Sequence, residues 1–387
     1  MLTSRWFGVG SAAGSDPEAV GRAVDQALAH DDPKLLIVFC SASEDLGAPL
    51  RQIHAQCGDV PLVGCTTAGE IAPSGSDDAT VVVAALGGDG FAITTAAATD
   101  ASRDLRAAGA RAARCLSKDM EHPYRTLLLL TDALAGDQQE VVRGAYGVLG
   151  AGVPLVGGCA GDGMRITKTF QLYGDRVLSD CVLAVGIESV APLGIGVRHG
   201  WTPVGEPMLV TGSGAHRVYT LDDRPALDVY LDQLDIARVQ GRDEEGFKPL
   251  ALTHPLGLSR PAGEPQVRFI GGADFGERSL QCIAEVPQGA LVWIMKGDAR
   301  SVLDATDAAC QDSLVGLEGR PPLGMLAFDC VARRGVLGDR LIKTEIDRLA
   351  AAAGGAPVAG FYTYGEIART RGIRGFHNQT LVVLSIG

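Results

Sequence analysis

The chain contains 387 residues, of which 46% are hydrophobic and 21% are charged, a mixture typical of a globular protein with a large core. This length favours two domains over one. The formal net charge of −12 argues against binding to nucleic acid or to an anionic membrane surface, because both need a positive protein surface.

The sequence also predicts where the protein functions. No apolar run approaches the roughly 18–20 residues needed to cross a bilayer, so we expect no membrane insertion. The N-terminal residues lack the apolar region and cleavage site of a secretory signal. The nine cysteines are widely spaced and never form a Cys-x-x-Cys pair, which argues against a disulfide framework and a structural zinc site. We therefore expect a cytoplasmic protein in a reducing compartment.

The first predicted elements are a strand at Arg5–Val9 and a helix at Asp16–Leu28. From residue 35 onwards one pattern occurs three times. It consists of a continuous apolar strand, an amphipathic helix, a second strand that begins with Pro-x-x-Gly, a Gly-Glu or Gly-Asp turn and a final apolar strand. The three copies run from Leu35 to Val83, from Leu127 to Val185 and from Gly324 to Leu384. Continuous apolar strands are typical of strands buried on both faces of a sheet.

Each copy places an aspartate where its helix is predicted to begin. Asp45, Asp137 and Asp339 can accept the free amides of a first helical turn. The repetition predicts an α/β (mixed α+β) fold with two domains, in which mixed β-sheets are covered by helices and built from repeated strand-helix-strand-strand units.

The region between the second and third copies is less regular. The patterns predict short strands from Leu193 onwards, a short helix at Pro225–Leu234, a charged loop at Asp235–Lys248 and a β-meander up to Met295. A Gly- and Pro-rich stretch near residue 205 is the best candidate for a domain boundary. The predicted domains are therefore residues 1–205 and residues 206–387.

The three glycine-rich turns are the best candidates for a ligand site, because ligands favour the carboxyl ends of parallel strands. Open backbone amides and hydroxyls there could take the carboxylate of a small zwitterion, while an acidic side chain takes its ammonium group. The alternative is that the glycines and acids serve only the geometry of the turns. The candidate ligand-binding side chains are Cys65, Thr66, Thr67, Glu70, Cys159, Asp162, Tyr362, Tyr364 and Glu366.

No catalytic or metal-binding motif is present, neither a nucleophile elbow nor a P-loop nor His-Glu-x-x-His. A hydrolase or transferase that uses Cys or Ser, for example Cys65 or Cys159, is the less favoured reading. The cysteines could instead be small buried hydrophobic residues. A single imidazole is enough to hold haem iron, and His254, which opens a Pro-Leu-Gly turn, is the first candidate among the seven histidines.

Several segments together resemble a known family. The segments Pro61–Glu70 and Leu127–Gly158 resemble the N-terminal FIST domain. The segments Ala226–Tyr230, Pro255–Gly257 and Gly360–Thr380 resemble its C-terminal partner domain. The match covers nearly the whole chain in the right order.

The resemblance implies an intracellular sensory module of the kind found in bacterial signal-transduction proteins, which bind small ligands such as amino acids. Some similar bacterial proteins bind haem, sense nitric oxide and regulate a partner histidine kinase. Because no kinase or cyclase segment follows in the sequence, we expect this protein to signal through a separate partner. The readings that stay open are a small-ligand sensor, a haem-dependent nitric-oxide sensor with His254 or another histidine as the ligand to iron, a Cys- or Ser-dependent enzyme, and a structural or interaction protein without a small ligand.

Overall fold

Three equivalent units, each built around one mixed β-sheet, form the core of the protein in the computed structural model. The structure describes residues 4–14, 16–43, 46–72, 80–116, 121–234, 243–260, 264–370 and 375–387. The elements of unit 1 are β1 (Trp6–Ala13), α1 (Pro17–Ala27), β2 (Pro33–Ser41), α2 (Gly47–Cys57), β3 (Leu62–Thr67), β4 (Glu70–Ile71) and β5 (Thr80–Gly87).

Units 2 and 3 repeat this order of elements. Those of unit 2 are β6 (Phe91–Thr99), α3 (Leu105–Ala113), β7 (Tyr124–Thr131), α4 (Gln138–Leu149), β8 (Leu155–Cys159), β9 (Gln171–Tyr173), β10 (Arg176–Leu178) and β11 (Cys181–Ser189). Unit 3 begins with β12 (Leu193–Arg198) and, after the inserted residues 202–296, continues with elements that we number after the insertion.

The insertion forms a β-sheet of its own with two helices. Its elements are β13 (Thr202–Gly214), β14 (Arg217–Leu221), β15 (Arg224–Pro225), α5 (Ala226–Gln233), α6 (Glu244–Thr253), β16 (Leu256–Leu258), β17 (Gln266–Arg268), β18 (Ile270–Asp274), β19 (Ser279–Cys282) and β20 (Leu291–Lys296). The rest of unit 3 consists of α7 (Ala299–Val315), β21 (Gly324–Cys330), α8 (Val331–Ala352), β22 (Val358–Thr363), β23 (Glu366–Arg369), β24 (Phe376–His377) and β25 (Leu381–Ile386).

The same strand order recurs in the three sheets. In unit 1 the order is β1-β5-β2-β3, in unit 2 it is β6-β11-β7-β8, and in unit 3 it is β12-β25-β21-β22. The two central strands of each repeat are parallel, and the last strand returns antiparallel beside the first. The predicted α/β fold of mixed sheets covered by helices is therefore confirmed.

The glycine of each Pro-x-x-Gly motif lies at the same point of its sheet. Gly64, Gly157 and Gly360 sit beside the parallel strand that precedes them in the repeat. A Cβ atom on any of the three would lie 2.0–2.2 Å from a backbone oxygen of that strand. Any side chain would therefore push the two parallel strands apart, which explains why the motif recurs.

The strand after each glycine-rich turn leaves its own unit and pairs with the sheet of another. Strand β4 of unit 1 pairs with β22 of unit 3, β23 of unit 3 pairs with β8 of unit 2, and β9 of unit 2 pairs with β3 of unit 1. The exchange closes a ring of three units. The core sheets thus take strands from both halves of the chain, and β13 runs through Gly205. The domain boundary at residue 205 stays a prediction.

The inner faces of the three sheets share one hydrophobic core. Phe39 of unit 1 packs against Phe361 of unit 3 with ring centroids 4.7 Å apart, and Phe361 packs edge-on against Phe328 at 5.8 Å. Leu130 and Val156 of unit 2 belong to the same cluster and are fully buried. The insertion has a separate core around Tyr230 and Phe247. Among the described residues, no helix combines the length and the apolar character needed to cross a membrane.

Of the three aspartates predicted to begin a helix in the repeats, the structure shows one, Asp137, at the start of its helix. Asp137 caps α4 as expected and accepts the amide of Gln139 at 2.9 Å, whereas Asp45 lies outside the described residues. Helix α8 begins at Val331 rather than at Asp339. The helix is interrupted at Gly338, whose φ of 61° and ψ of 168° are not helical, so the predicted start is only the start of its second part.

The loop predicted at Asp235–Lys248 is wrong from Glu244 onwards, where α6 begins. Asp243 accepts the amide of Gly246 at 2.8 Å and so caps the helix. Phe247 and Ala251 are buried on one face of α6. The run of charged residues around the cap obscured this apolar face in the sequence. Residues 235–242 lie outside the described part of the chain.

Candidate functional site

The three glycine-rich turns meet at one place and are joined by backbone hydrogen bonds. The amide of Tyr362 donates to Gly69 O at 2.7 Å, which joins the turns of units 3 and 1. The amide of Gly161 donates to Thr66 O at 2.9 Å, which joins units 2 and 1. The amide of Cys159 donates to Gly365 O at 2.8 Å and joins units 2 and 3. The segments that the repeat pattern singled out therefore form a closed ring.

The turns of units 1 and 3 have the same internal structure. In unit 1, Thr67 Oγ1 donates to the Glu70 carboxylate at 2.6 Å and accepts the amide of Gly69 at 3.1 Å. In unit 3, Thr363 and Glu366 repeat the first bond at 2.5 Å, and the amide of Gly365 repeats the second at 3.2 Å. Both glutamates are fully buried. Their carboxyl groups serve the turns rather than point to solvent.

The turn of unit 2 differs, because Asp162 organises the loop that follows it. Its carboxylate accepts the amides of Ile166, Thr167 and Lys168 at 2.7–3.0 Å and the hydroxyl of Tyr364 at 2.5 Å. Burial alone would raise the pKa of Asp162, but these hydrogen bonds outweigh burial and hold the pKa well below its usual range. Asp162 is therefore an ionised structural acceptor.

A cleft of about 600 Å³ opens where the turns of units 1 and 2 meet α8 of unit 3. Its volume lies within the range of about 300–1,000 Å³ that is usual for ligand pockets. All three units contribute to its walls. The lining side chains and turns include Ser41, Thr67, Gly69, Asp162, Gly163, Met164, Arg165, Val331, Arg334, Gly338 and Asp339.

Two guanidinium groups and one further carboxylate lie in the wall of this cleft. Arg334 Nη1 donates to Ala68 O at 2.7 Å, and its guanidinium lies 5.3 Å from the ring centroid of Tyr362. Arg165 donates from Nε to Asp162 O at 2.9 Å and from Nη2 to Ala42 O at 3.0 Å. The exposed Asp339 follows the interruption of α8. A guanidinium carries five N–H donors in a planar fork, a geometry that suits the recognition of a carboxylate.

A buried ion network lies at the base of α8, next in sequence to Arg334. The fully buried Arg333 donates from Nε to Asp329 at 2.6 Å and from Nη2 to Glu345 at 2.7 Å. It also donates to His199 O and to Thr306 Oγ1, both at 2.9 Å. Burial raises the pKa of Asp329 well above its usual range, although Arg333 acts in the opposite direction. This network fixes the first part of α8 against β21.

Among the residues predicted for the site, Thr67 and Asp162 line the cleft. The hydroxyl of Tyr364 donates a hydrogen bond to the Asp162 carboxylate and accepts the amide of Met164 at 2.8 Å. Thr66 is buried and bonded to Phe170, where its hydroxyl accepts the amide at 3.0 Å. The remaining predicted residues are buried in the turns or the core, and these are Cys65, Glu70, Cys159, Tyr362 and Glu366.

The two predicted cysteines are fully buried. Burial raises the pKa of both the Cys65 and the Cys159 thiol well above the usual range. Thr131 Oγ1 donates to Cys159 Sγ at 3.2 Å. A thiol nucleophile needs an accessible thiolate, and these two sites oppose its formation.

Sequence reasoning missed Arg165, Arg334 and Ser41. Arg165 lies three positions after Asp162 of the second turn, and Arg334 belongs to an Arg-Arg pair that begins three positions after Cys330, the end of an apolar strand. Both features were visible in the sequence. What was not visible is that the two arginines, from units 2 and 3, would reach one cleft.

The surroundings of His254, His199 and His377 do not fit a haem group. His254 is half-buried at the C-terminal end of α6, and its Nδ1 faces Leu250 O at 3.3 Å and Thr253 Oγ1 at 3.0 Å. His199 is bonded at both ring nitrogens, to Trp201 N and Pro265 O. His377 and His199 border a cavity of about 200 Å³, below the usual range for ligand pockets. Among the described residues, no group of three or more His, Cys, Asp or Glu side chains is placed to hold a metal ion.

Comparison with known proteins identifies the family. A FIST N domain matches residues 34–224, and a FIST C domain matches residues 226–369. The chain therefore belongs to the FIST family, whose domains are associated with signal transduction.

The relatives are themselves uncharacterised. A protein of Mycobacterium tuberculosis is 30% identical over 236 residues, which are 59% of this chain and 60% of that protein's length. A protein of Mycobacterium bovis is 27% identical over 374 residues, 94% of this chain and 92% of its own length. A solved cyanuric acid hydrolase from A. caulinodans covers 99% of the chain, but its TM-score of 0.35 and 11% identity support no conclusion about fold or activity.

Proposed function

We propose that the protein is a sensor that binds a small zwitterion, such as an amino acid, in the cleft between its three units. The observation that carries the proposal is the composition of the cleft wall. Arg165 and Arg334 offer positive charge to a carboxylate, and Asp339 offers negative charge to an ammonium group. The carboxylate of Asp162 is already saturated by amides and hydroxyls, so it does not compete for the ligand.

The site supports sensing because the cleft is shared by all three units. A ligand that contacts the turns of units 1 and 2 together with α8 of unit 3 ties these parts to one another. Binding therefore favours one arrangement of the units over others, which is the physical basis of a ligand-controlled signal. The output passes to a separate partner, for which a histidine kinase is the first candidate, and the cytoplasm is the compartment in which we expect this to happen.

The two alternatives have less support. A haem-dependent nitric-oxide sensor needs an imidazole directed into a large apolar cavity, whereas His254 faces its own helix. A Soret band in the purified protein that is lost in His254→Ala would nevertheless establish it. A Cys-dependent hydrolase or transferase needs an accessible thiolate, whereas Cys65 and Cys159 are buried with raised pKa values.

The test is a thermal-shift and calorimetric screen of the L-amino acids and their decarboxylated amines. We expect amino acids to stabilise the protein, by about 2.7 kcal/mol at a ligand concentration 100 times Kd. The amines should not do so, because they lack the carboxylate. Arg334→Gln should weaken amino-acid binding at least tenfold, since it removes the charge that pairs with the carboxylate.

Lys343→Gln is the matched control, because Lys343 is exposed on the same helix and pairs with Asp347 outside the cleft. It should bind amino acids like the wild type. If no amino acid stabilises the wild type, or if Arg334→Gln and Lys343→Gln bind equally well, the proposed site is wrong.

A further inference from the structure

A second, apolar cavity lies directly behind the wall of the cleft. It measures about 100 Å³ and sits between the sheet of unit 1 and α2. Most of the side chains around it are apolar and buried. They include Val38, Cys40, Leu50, Ile53, Val81 and Leu172.

The two cavities meet at the end of β2. Ser41 and Ala42 line both of them, and both residues are only half-buried. Successive side chains of a strand point to opposite faces. Cys40 accordingly packs towards α2, while Ser41 points to the other side and donates to Glu70 at 3.2 Å. The C-terminal end of β2 therefore separates the charged cleft from the second, apolar cavity, which we call the recess.

The size of the recess limits what can enter it. Protein interiors are normally packed as densely as organic crystals, so a recess of this size is a notable gap. An apolar cavity of about 150 Å³ holds benzene, which has six carbon atoms, so about 100 Å³ holds about four. The Cys40 thiol does not add charge, because burial and the nearby Glu70 raise its pKa to about 12.

We propose that the recess selects the side chain of the ligand, so that the sensor takes α-amino acids with aliphatic side chains of about three to four carbon atoms. The charged end of the ligand lies in the cleft, and its side chain passes Ser41 and Ala42 into the recess. This inference rests on the proposed function. It adds that valine and leucine bind better than glycine, serine or the acidic amino acids.

The inference is tested by calorimetry with glycine, L-alanine, L-valine and L-leucine, and with acetate and 4-methylpentanoate, which lack the amine. Each buried methylene group should raise the affinity about fourfold. We therefore expect L-leucine to bind about fifty-fold more tightly than L-alanine. Cys40→Leu fills the recess, so L-leucine should lose its advantage over glycine in this variant.

Val81→Ile is a second, milder variant that adds one methyl group to the same recess, and we expect it to reduce the preference for leucine by about fourfold. Melting temperatures without ligand report on folding. Cys40→Leu should melt no lower than the wild type, because its added atoms occupy empty space. If it fails to fold, Val81→Ile carries the test.

The outcomes separate the inference from the proposed function. If amino acids bind without a preference for aliphatic chains, or if the preference survives both variants, the recess is not used and the sensor function stands. If no amino acid binds, but 4-methylpentanoate exceeds acetate in the wild type and not in Cys40→Leu, the recess is used and the zwitterion is wrong. If no probe binds, both proposals are wrong.

Discussion

The pH dependence of folding is a sharp test of the buried turn in unit 3. Burial raises the pKa of Glu366 from 4.5 to about 8, against the hydrogen bonds from Thr363 and Thr380 that favour its ionised form. Between these pH values the folded chain holds a proton that the unfolded chain has lost. The free energy of unfolding therefore falls as the pH rises. The contribution of Glu366 is complete below about pH 4.5 and is lost progressively up to about pH 8.

The size of this effect follows from the rise in pKa. At 1.36 kcal/mol for each tenfold change in the ionisation constant, it amounts to about 5 kcal/mol over the whole range and about 3 kcal/mol between about pH 5 and 7.5. Glu366→Gln removes the titration and keeps the shape of the side chain. Its amide oxygen can accept the amide of Thr380, and its amino group can donate to Thr363 Oγ1.

The measurement is urea unfolding of the wild type and Glu366→Gln at several values between pH 5 and 9, followed by tryptophan fluorescence. We expect the stability of Glu366→Gln relative to the wild type to increase by about 3 kcal/mol from about pH 5 to 7.5. Other buried groups titrate in both proteins and cancel in the difference. Glu206→Gln, at an exposed site on β13, should follow the wild type. Parallel curves for the wild type and Glu366→Gln would refute a buried neutral carboxyl.

Two further predictions concern α8. Arg333→Met leaves two buried carboxyl groups without their cation and should lower the free energy of unfolding by about 3–5 kcal/mol, whereas Lys343→Met, which breaks an exposed pair on the same helix, should cost less than about 1 kcal/mol. Similar losses for both variants in urea unfolding would contradict the network. Gly338→Ala should cost about 1–3 kcal/mol, because its backbone conformation is open almost only to glycine. Gly147→Ala, at an exposed position inside α4 with no atom near the added methyl group, should instead stabilise the protein by about 0.5–1 kcal/mol. An increase in the free energy of unfolding for both variants would show that α8 is a regular helix at residue 338.

The three units are alike in topology but not in their turns, and this difference creates the cleft. Units 1 and 3 keep a glutamate that bonds to its own turn. Unit 2 carries Asp162 instead, which gathers the amides of the following loop and carries Arg165 to the wall of the cleft. If the turn of unit 2 were like the other two, it would not hold Arg165 in the wall of the cleft. The divergent copy is therefore the one that defines the proposed site.

Predictions from local patterns failed where charged residues concealed an apolar face or where a turn interrupted a helix. The polar residues before α6 hid the buried positions Phe247 and Ala251. The sequence pattern predicts a helix from Asp339, whereas α8 begins at Val331, directly after β21, and is interrupted at Gly338. In both cases tertiary packing decides where the helix begins, because the apolar face of the helix is identified only by the residues that it packs against.

The sequence by itself determines which strands are buried and where parallel strands approach closely. The apolar runs determined which strands are buried, because such strands have no face that water can reach. The recurring Pro-x-x-Gly determined where parallel strands approach too closely for a side chain. The burial of a strand and the need for glycine both depend on a short segment, so the sequence of that segment is enough to predict them.

The tertiary structure alone decided how the copies combine. The exchange of β4, β9 and β23 among the units depends on backbone pairing between distant segments, which carries no sequence signature of its own. The same holds for the cleft, where Arg334 donates to Ala68, 266 positions away in the chain. A site built from such contacts exists only after the ring has closed, because each of its three walls belongs to a different unit.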